Sequence, residues 1–219
     1  MPALPSLAGC GGGGRLSVLD PAGPQAALVA RLWWIMATGA AAVFLLTMAA
    51  LALAMFYPRW AGRIPPARWI VAGGIVLPLV LLLPLTGGAL VAGDSLYRLS
   101  PAERPLRIEA VASQWQWRFR YPDHPRIPAM PDILRLPAGM LVEITVTSED
   151  VIHSFWVPNL GGKIDATPGR EARLLLTAAE PGEHAGICSE YCGLGHDGMP
   201  FLVVVMPPEA FANWIGGQP

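Results

Sequence analysis

Two stretches of the chain, Leu32 to Tyr57 and Trp69 to Gly93, contain no Asp, Glu, Lys, Arg or His. Each exceeds the roughly 20 apolar residues that cross the hydrocarbon core of a bilayer, where a helix satisfies its own backbone hydrogen bonds. A chain of 219 residues is too small to surround both as buried core helices, so the pattern predicts a transmembrane helical hairpin. Pro78, Pro84 and the Gly73-Gly74 pair would weaken the second segment in water, but in a membrane neighbouring helices supply the missing contacts. The short connection carries Arg59, Arg63 and Arg68 and no acid. By the positive-inside rule it lies in the cytoplasm, and both termini then lie outside. Trp33, Trp34, Tyr57, Trp60 and Trp69 fall near the span ends, where amphipathic rings favour the headgroup level.

With 53% hydrophobic and only 14% charged residues, the chain is neither disordered nor an ordinary soluble globule. Its net charge of −1 hides two opposite halves. Residues 1–100 hold six arginines and two acids, whereas residues 101–219 hold nine basic and fourteen acidic residues. The aqueous half is therefore acidic, which argues against a nucleic-acid partner. From about Arg104 the pattern changes to short strands punctuated by Pro and Gly. In Met140 to Thr147 the even positions are all apolar, the period of a half-buried strand. Arg173–Thr177 and Phe201–Met206 read as strands buried on both faces, and Pro207 to Trp214 as a short terminal helix. The expected organisation is an external tail over 1–30, a transmembrane hairpin over 31–94 and an all-β sandwich or barrel over 104–215. Trp115, Trp117, Phe119 and Tyr121 alternate with Gln and Arg, so one strand face is predicted to carry four aromatic rings.

The chemistry concentrates in Cys188-Ser-Glu-Tyr-Cys192-Gly-Leu-Gly-His196-Asp-Gly-Met199. Two thiols, an imidazole and a thioether form a soft donor set, and thiolate with thioether selects copper over magnesium or calcium. Zinc competes for the Cys and His donors, but a neutral thioether adds little to a zinc site. A disulfide between Cys188 and Cys192 is the structural alternative. Upstream, His153 ends a predicted strand and is a further candidate ligand. His124 and His184 both sit in turn-like sequence and read as solvated.

The two spans, Gln114-Trp115-Gln116-Trp117, the run His153-Ser-Phe-Trp-Val-Pro-Asn-Leu-Gly-Gly-Lys-Ile-Asp-Ala-Thr-Pro-Gly169 and the Cys188 to Met199 run occur together. In this combination the chain, from about residue 17 to 214, resembles subunit II of haem-copper cytochrome c oxidase, bacterial type. The resemblance implies a cupredoxin-like domain with a dinuclear copper A centre. Cys188 and Cys192 would bridge two copper ions, His153 and His196 would be terminal ligands, and Met199 and the backbone carbonyl of Glu190 weak axial ones. It gives the Glu190 side chain a magnesium ion at the interface with subunit I, and makes Trp115 the point where electrons enter from cytochrome c.

The implied function is that of an oxidoreductase and translocase subunit in a terminal respiratory oxidase. It would accept single electrons from cytochrome c and pass them to the haem of subunit I for reduction of oxygen to water, with subunit III as a further partner. The implied location is the bacterial inner membrane, with the copper domain on the periplasmic side. The alternative is a membrane-tethered copper-binding or copper-delivery cupredoxin outside any oxidase. A quinol-oxidase subunit would lack the copper ligands, and all the side-chain ligands are present. The chain lacks a Cys-x-x-Cys-His haem attachment motif, so a separate donor is expected.

Two departures from the family pattern stand out. Pro58 to Gly93 contains no acid, where many members carry one near a proton-uptake route. Arg118-Phe-Arg120 stands where some relatives have an acid, leaving Glu149, Asp150 and Asp165 as acids for a docking surface. Finally, Leu7-Ala-Gly-Cys10 has the pattern of a lipoprotein cleavage site, yet only Met1 to Leu7 precede it, without Lys or Arg. Lipid anchor and accidental match both stand.

Overall fold

The computed structural model describes residues 14–97 and 105–217; Cys10 lies outside them. Alternating burial builds the region after the spans into two packed sheets. The strands are β1 (Leu106–Ser113), β2 (Gln116–Arg120), β3 (Met130–Pro131), β4 (Ile133–Pro137), β5 (Leu141–Ser148), β6 (His153–Trp156), β7 (Ile164–Ala166), β8 (Ala172–Thr177), β9 (Gly182–Cys188) and β10 (Pro200–Met206). One sheet has the order β3-β2-β1-β5-β8 and the other β4-β10-β9-β6-β7. The parallel pairs β1–β5 and β4–β10 join strands distant in sequence. In β5, Val142, Ile144 and Val146 face the interior as the alternation predicts. The β10 strand differs from expectation: Phe201, Val203 and Val205 are buried, whereas Leu202, Val204 and Met206 are only half-buried. Its second face is incompletely covered, so an all-apolar strand still has an inner and an outer side.

The aromatic strand forms the centre of the interface between the sheets. Trp117 and Phe119 from one sheet meet Phe155 and Phe201 from the other, with Trp117 edge-on to Phe155 at 5.6 Å and Phe155 stacked on Phe201 at 5.0 Å. Offset and edge-on arrangements of this kind add to the burial of the rings. Trp115 does not join the ladder, because β2 begins only at Gln116. It occupies the β1–β2 turn and is 42% exposed. Tyr121 closes the other end, its hydroxyl donating to the Arg135 carbonyl at 2.8 Å and accepting from the Arg135 N–H at 3.0 Å.

Residues 14–23 lie along the sandwich. The Asn159 amide donates to the carbonyls of Ser17 and Asp20, the Ala22 N–H to the carbonyl of Asn159, and Ala179 to that of Ala22. The described residues up to Ala30 thus form one compact unit with the strands, and a second unit begins at Arg31.

The helices are α1 (Pro24–Phe56), α2 (Pro58–Ala61), α3 (Pro66–Val71), a π-helical turn (Ala72–Val76), α4 (Leu77–Tyr97) and the terminal α5 (Pro208–Ile215). Pro24–Phe56 and Pro66–Asp94 are long and apolar enough to cross a membrane. Apart from the buried Ala26 and Ala30, their described side chains are exposed or half-buried, with Phe56 74% and Leu83 67% exposed, a surface that needs lipid or partner helices. Pro78 lacks an N–H and its ring crowds the carbonyl four residues back. The helix widens just ahead of it, with the Leu77 N–H reaching the Ala72 carbonyl.

Burial pushes the Tyr121 phenol well above its usual range, and the Arg135 backbone and charge offset this only in part. The folded chain therefore holds the Tyr121 proton while the unfolded chain releases it near pH 10.0. The stability that Tyr121 contributes is complete below that pH and falls by about 1.4 kcal/mol per pH unit above it. Tyr121→Phe is expected to cost about 1–3 kcal/mol at neutral pH by leaving the Arg135 backbone groups unpaired. In urea titrations of the detergent-solubilised chain, the gap to wild type should narrow as pH rises past 10.0; a constant gap contradicts the assignment.

Candidate metal centre

Three connections converge at one end of the second sheet. His153 opens β6 and Cys188 closes β9, and the antiparallel register sets Phe155 opposite Cys188. The chain then loops through Cys192 and a 3-10 turn, His196–Gly198, before Met199 leads into β10. The loop is closed at its base, where the Cys188 N–H donates to the Met199 carbonyl at 3.2 Å and the Ser189 N–H to the Ser154 carbonyl at 2.9 Å. The β9–β10 ladder thus fixes both ends of a segment whose interior forms no strand.

The donor atoms cluster tightly. Cys188 Sγ lies 3.8 Å from Cys192 Sγ and 3.8 Å from His153 Nδ1. Cys192 Sγ lies 3.6 Å from His196 Nδ1 and 4.0 Å from Met199 Sδ, and the Glu190 carbonyl oxygen is 3.3 Å from Cys188 Sγ. His153 is fully buried, and Cys188, Cys192 and Met199 nearly so. The sulfurs are separate thiols, where a disulfide would hold them at about 2.05 Å. First-row metal ions sit roughly 2.3 Å from a cysteine sulfur and roughly 2.0 Å from an imidazole nitrogen. An ion with those bonds and an opened angle spans a sulfur–nitrogen gap of the size seen here. The residues fit a soft metal held by thiolate and imidazole, with thioether at its margin, the donor chemistry of copper.

Electrostatics prepares the donors unequally. Asp150 Oδ1 accepts from His153 Nε2 at 2.9 Å, which fixes the proton on that nitrogen and leaves the Nδ1 lone pair facing Cys188. Burial pushes the Asp150 carboxyl upward, but hydrogen bonds from His153 and from the backbone N–H groups of Gln114 and Val151 outweigh it and hold it at about 2. Burial, together with the adjacent Cys188, pushes the Cys192 thiol up to about 11. Metal binding must therefore displace a proton that the apolar surroundings retain.

The structure thus brings His153, Cys188, Cys192, His196, Met199 and the Glu190 carbonyl together. The Glu190 carboxylate extends elsewhere, 3.9 Å from Lys163 Nζ, which is also 3.8 Å from Asp165. Trp115 lies beside the same loop, because Gln114 Nε2 donates to the Cys192 carbonyl at 2.8 Å. His124 is in a turn, its N–H donating to the Tyr121 carbonyl. His184 is not solvated as its sequence predicts: it lies within β9, half-buried, where burial lowers its basicity against the pull of Asp20. Asp150 reads from sequence only as an acid of a docking surface, yet it orients a candidate ligand; the Asp-x-x-His spacing is the signal that points to it. Arg118 is tied to Glu149 in an ion pair, so one charge of each sign on that surface is already matched.

A family model described as cytochrome c oxidase subunit II, periplasmic domain, matches residues 126–206. The chain is 36% identical over 166 residues to a probable cytochrome c oxidase subunit 2 of Rickettsia bellii, covering 65% of this chain and 60% of that protein. It therefore spans less than two thirds of that relative. The crystal structure of the periplasmic domain of subunit II of cytochrome oxidase from Bradyrhizobium japonicum overlays with a TM-score of 0.48 at 33% identity, over 55% of this chain and 96% of that one. Cytochrome c oxidase subunit 2 of Lycodon semicarinatus is 34% identical over 169 residues, which cover 68% of this chain and 71% of that protein. On this identity and coverage, the chain belongs to the cytochrome c oxidase subunit II family.

Proposed function

We propose that this chain is the electron-accepting subunit of a haem-copper terminal oxidase: it takes single electrons from cytochrome c at a dinuclear copper centre and passes them to the haem of subunit I. The observation that carries the reading is the pairing of each buried thiol with its own imidazole, Cys188 with His153 and Cys192 with His196. Two sulfur–nitrogen pairs sharing a 3.8 Å sulfur–sulfur edge suit two ions better than one. Cys188, Cys192, His153 and His196 would hold them, with Met199 and the Glu190 carbonyl as weaker donors. When bound, two coppers held by these residues would supply a one-electron acceptor.

The protein's own groups do the remaining work. The strand ends and the closed loop hold the donors in place, so little rearrangement accompanies a change of charge. Asp150 keeps the His153 proton on Nε2. Burial of both thiols and Met199 excludes water and leaves no open position for a substrate. Trp115, exposed beside the loop, offers the donor a contact. The Glu190 carboxylate faces Lys163 at 3.9 Å, so holding magnesium where this chain would meet subunit I would require that ammonium to be displaced. The arginine-bearing connection between the spans would face the cytoplasm and the sandwich the periplasm, in a bacterial inner membrane.

Cys188→Ser is expected to abolish bleaching of the copper absorbance band when the copper-loaded chain is mixed with reduced cytochrome c, with both spans still inserted; full-amplitude bleaching in that variant would refute the role of Cys188 in holding copper. Asp150→Asn should weaken copper binding by about 10- to 100-fold, the range typical of lost outer-shell partners. Competition with a chelator of known affinity measures this, and unchanged affinity would show that Asp150 does not support the ligand.

A further inference from the structure

Building on the reading of Trp115 as the contact for the electron donor, we propose that Gly193, Gly195 and Gln114 are positioning residues that seat its indole on the loop carrying Cys192 and His196. A Cβ at Gly195 would stand 2.5 Å from indole Cδ2 and 2.8 Å from Cγ and Cε3. Only bare backbone lets the ring come so close. At Gly193, whose φ of +119° disfavours any side chain, a Cβ would lie 3.4 Å from Cζ2 and 3.5 Å from Nε1 of the same ring. Gly195 therefore lies against Trp115, whereas at Gly193 the nearest atom to a Cβ would be Gln114 Nε2 at 3.0 Å, and Leu194 between them is 93% exposed.

Hydrogen bonds hold the turn on two sides. Gln114 Nε2 donates to the Cys192 carbonyl at 2.8 Å, and the Gln114 backbone N–H donates to Asp150 Oδ2 at 2.6 Å. The other oxygen of that carboxylate accepts from His153. The turn bearing Trp115 is thus fastened to one candidate ligand directly and to another through a single carboxylate, while the outer part of the ring stays open to a partner. In each transfer the ferrous haem of the donor loses one electron and becomes ferric, and the oxidised copper pair gains it. Trp115 gains and loses no proton. Because tunnelling decays exponentially with distance, a ring in van der Waals contact with the ligand loop serves this transfer better than one displaced from it.

The test uses the full chain in detergent, labelled with 5-fluorotryptophan, with the Trp115 fluorine resonance identified by its absence in Trp115→Phe. Gly195→Ala and Gln114→Leu are each expected to shift this resonance toward that of a solvent-exposed ring, in the metal-free chain as well. In the copper-loaded chain both should slow reduction by cytochrome c severalfold relative to reduction by hexaammineruthenium(II), a small reductant that does not need the indole. Gln114→Leu carries the test if Gly195→Ala does not fold. An unmoved resonance, or a moved one with an unchanged ratio of the two rates, overturns the seating. If Trp115→Phe itself leaves the cytochrome rate untouched, the relay reading fails and the proposal with it; a slow Trp115→Phe beside unaffected seat variants overturns the seating alone.

Discussion

Two thiols buried 3.8 Å apart are the constraint on which the rest of the sandwich turns. Thiolates that close in an apolar setting would repel each other and lack solvation, so burial and the adjacent Cys188 hold the proton on Cys192, and a bound cation would make the charged form favourable. Every neighbouring feature follows from that need. Imidazoles approach from two directions, and a thioether and a carbonyl close the remaining sides. The Asp150 carboxylate sits behind His153, where it orients the ring and would add negative charge beside a bound cation. A β-sandwich suits the task because strand ends fixed by ladders on both sides can hold loop donors without flexible supports.

The aromatic interior links this site to the stability of the domain. Trp117 lies edge-on to His153 at 6.2 Å as well as to Phe155, so the rings that join the two sheets also wall this buried candidate ligand. At the opposite end Tyr121 joins the sheets through the Arg135 backbone, with Trp214 of the terminal helix edge-on to its ring at 5.2 Å. The strap of residues 14–23 adds a further brace, tied down by Asn159. Arg118 and Arg120 share β2 with these rings, and the pairing of Arg118 with Glu149 softens the charge reversal visible at that point of the sequence.

Much of this was legible in the residues, and the limits have physical causes. The spans read directly because a chain this small has no interior that could take up two such long uncharged runs. Strand β5 read because one buried face imposes a period of two. The Cys188 to Met199 segment advertised its chemistry through donor type. Periodicity failed for β10, whose apolar outer face is only half-buried, and for Trp115, where the strand starts one residue later than the alternating rings imply. It failed for His184 because glycine and proline nearby read as a turn although β10 pairs with the strand that contains it. His153 meets Cys188 only through the β6–β9 register, and Asp150 gains its role only from that meeting; such placements belong to sheet topology, which local spacing does not encode.

If the proposed function holds, one chain carries two coppers that act as a single electronic unit. Electron paramagnetic resonance of the oxidised, copper-loaded chain, with copper per chain measured on the same sample, tests this without recourse to activity. Two coppers per chain are expected, with a hyperfine pattern from one unpaired electron shared equally between two copper nuclei. A signal confined to one copper nucleus, or a single metal ion bound per chain, would contradict it.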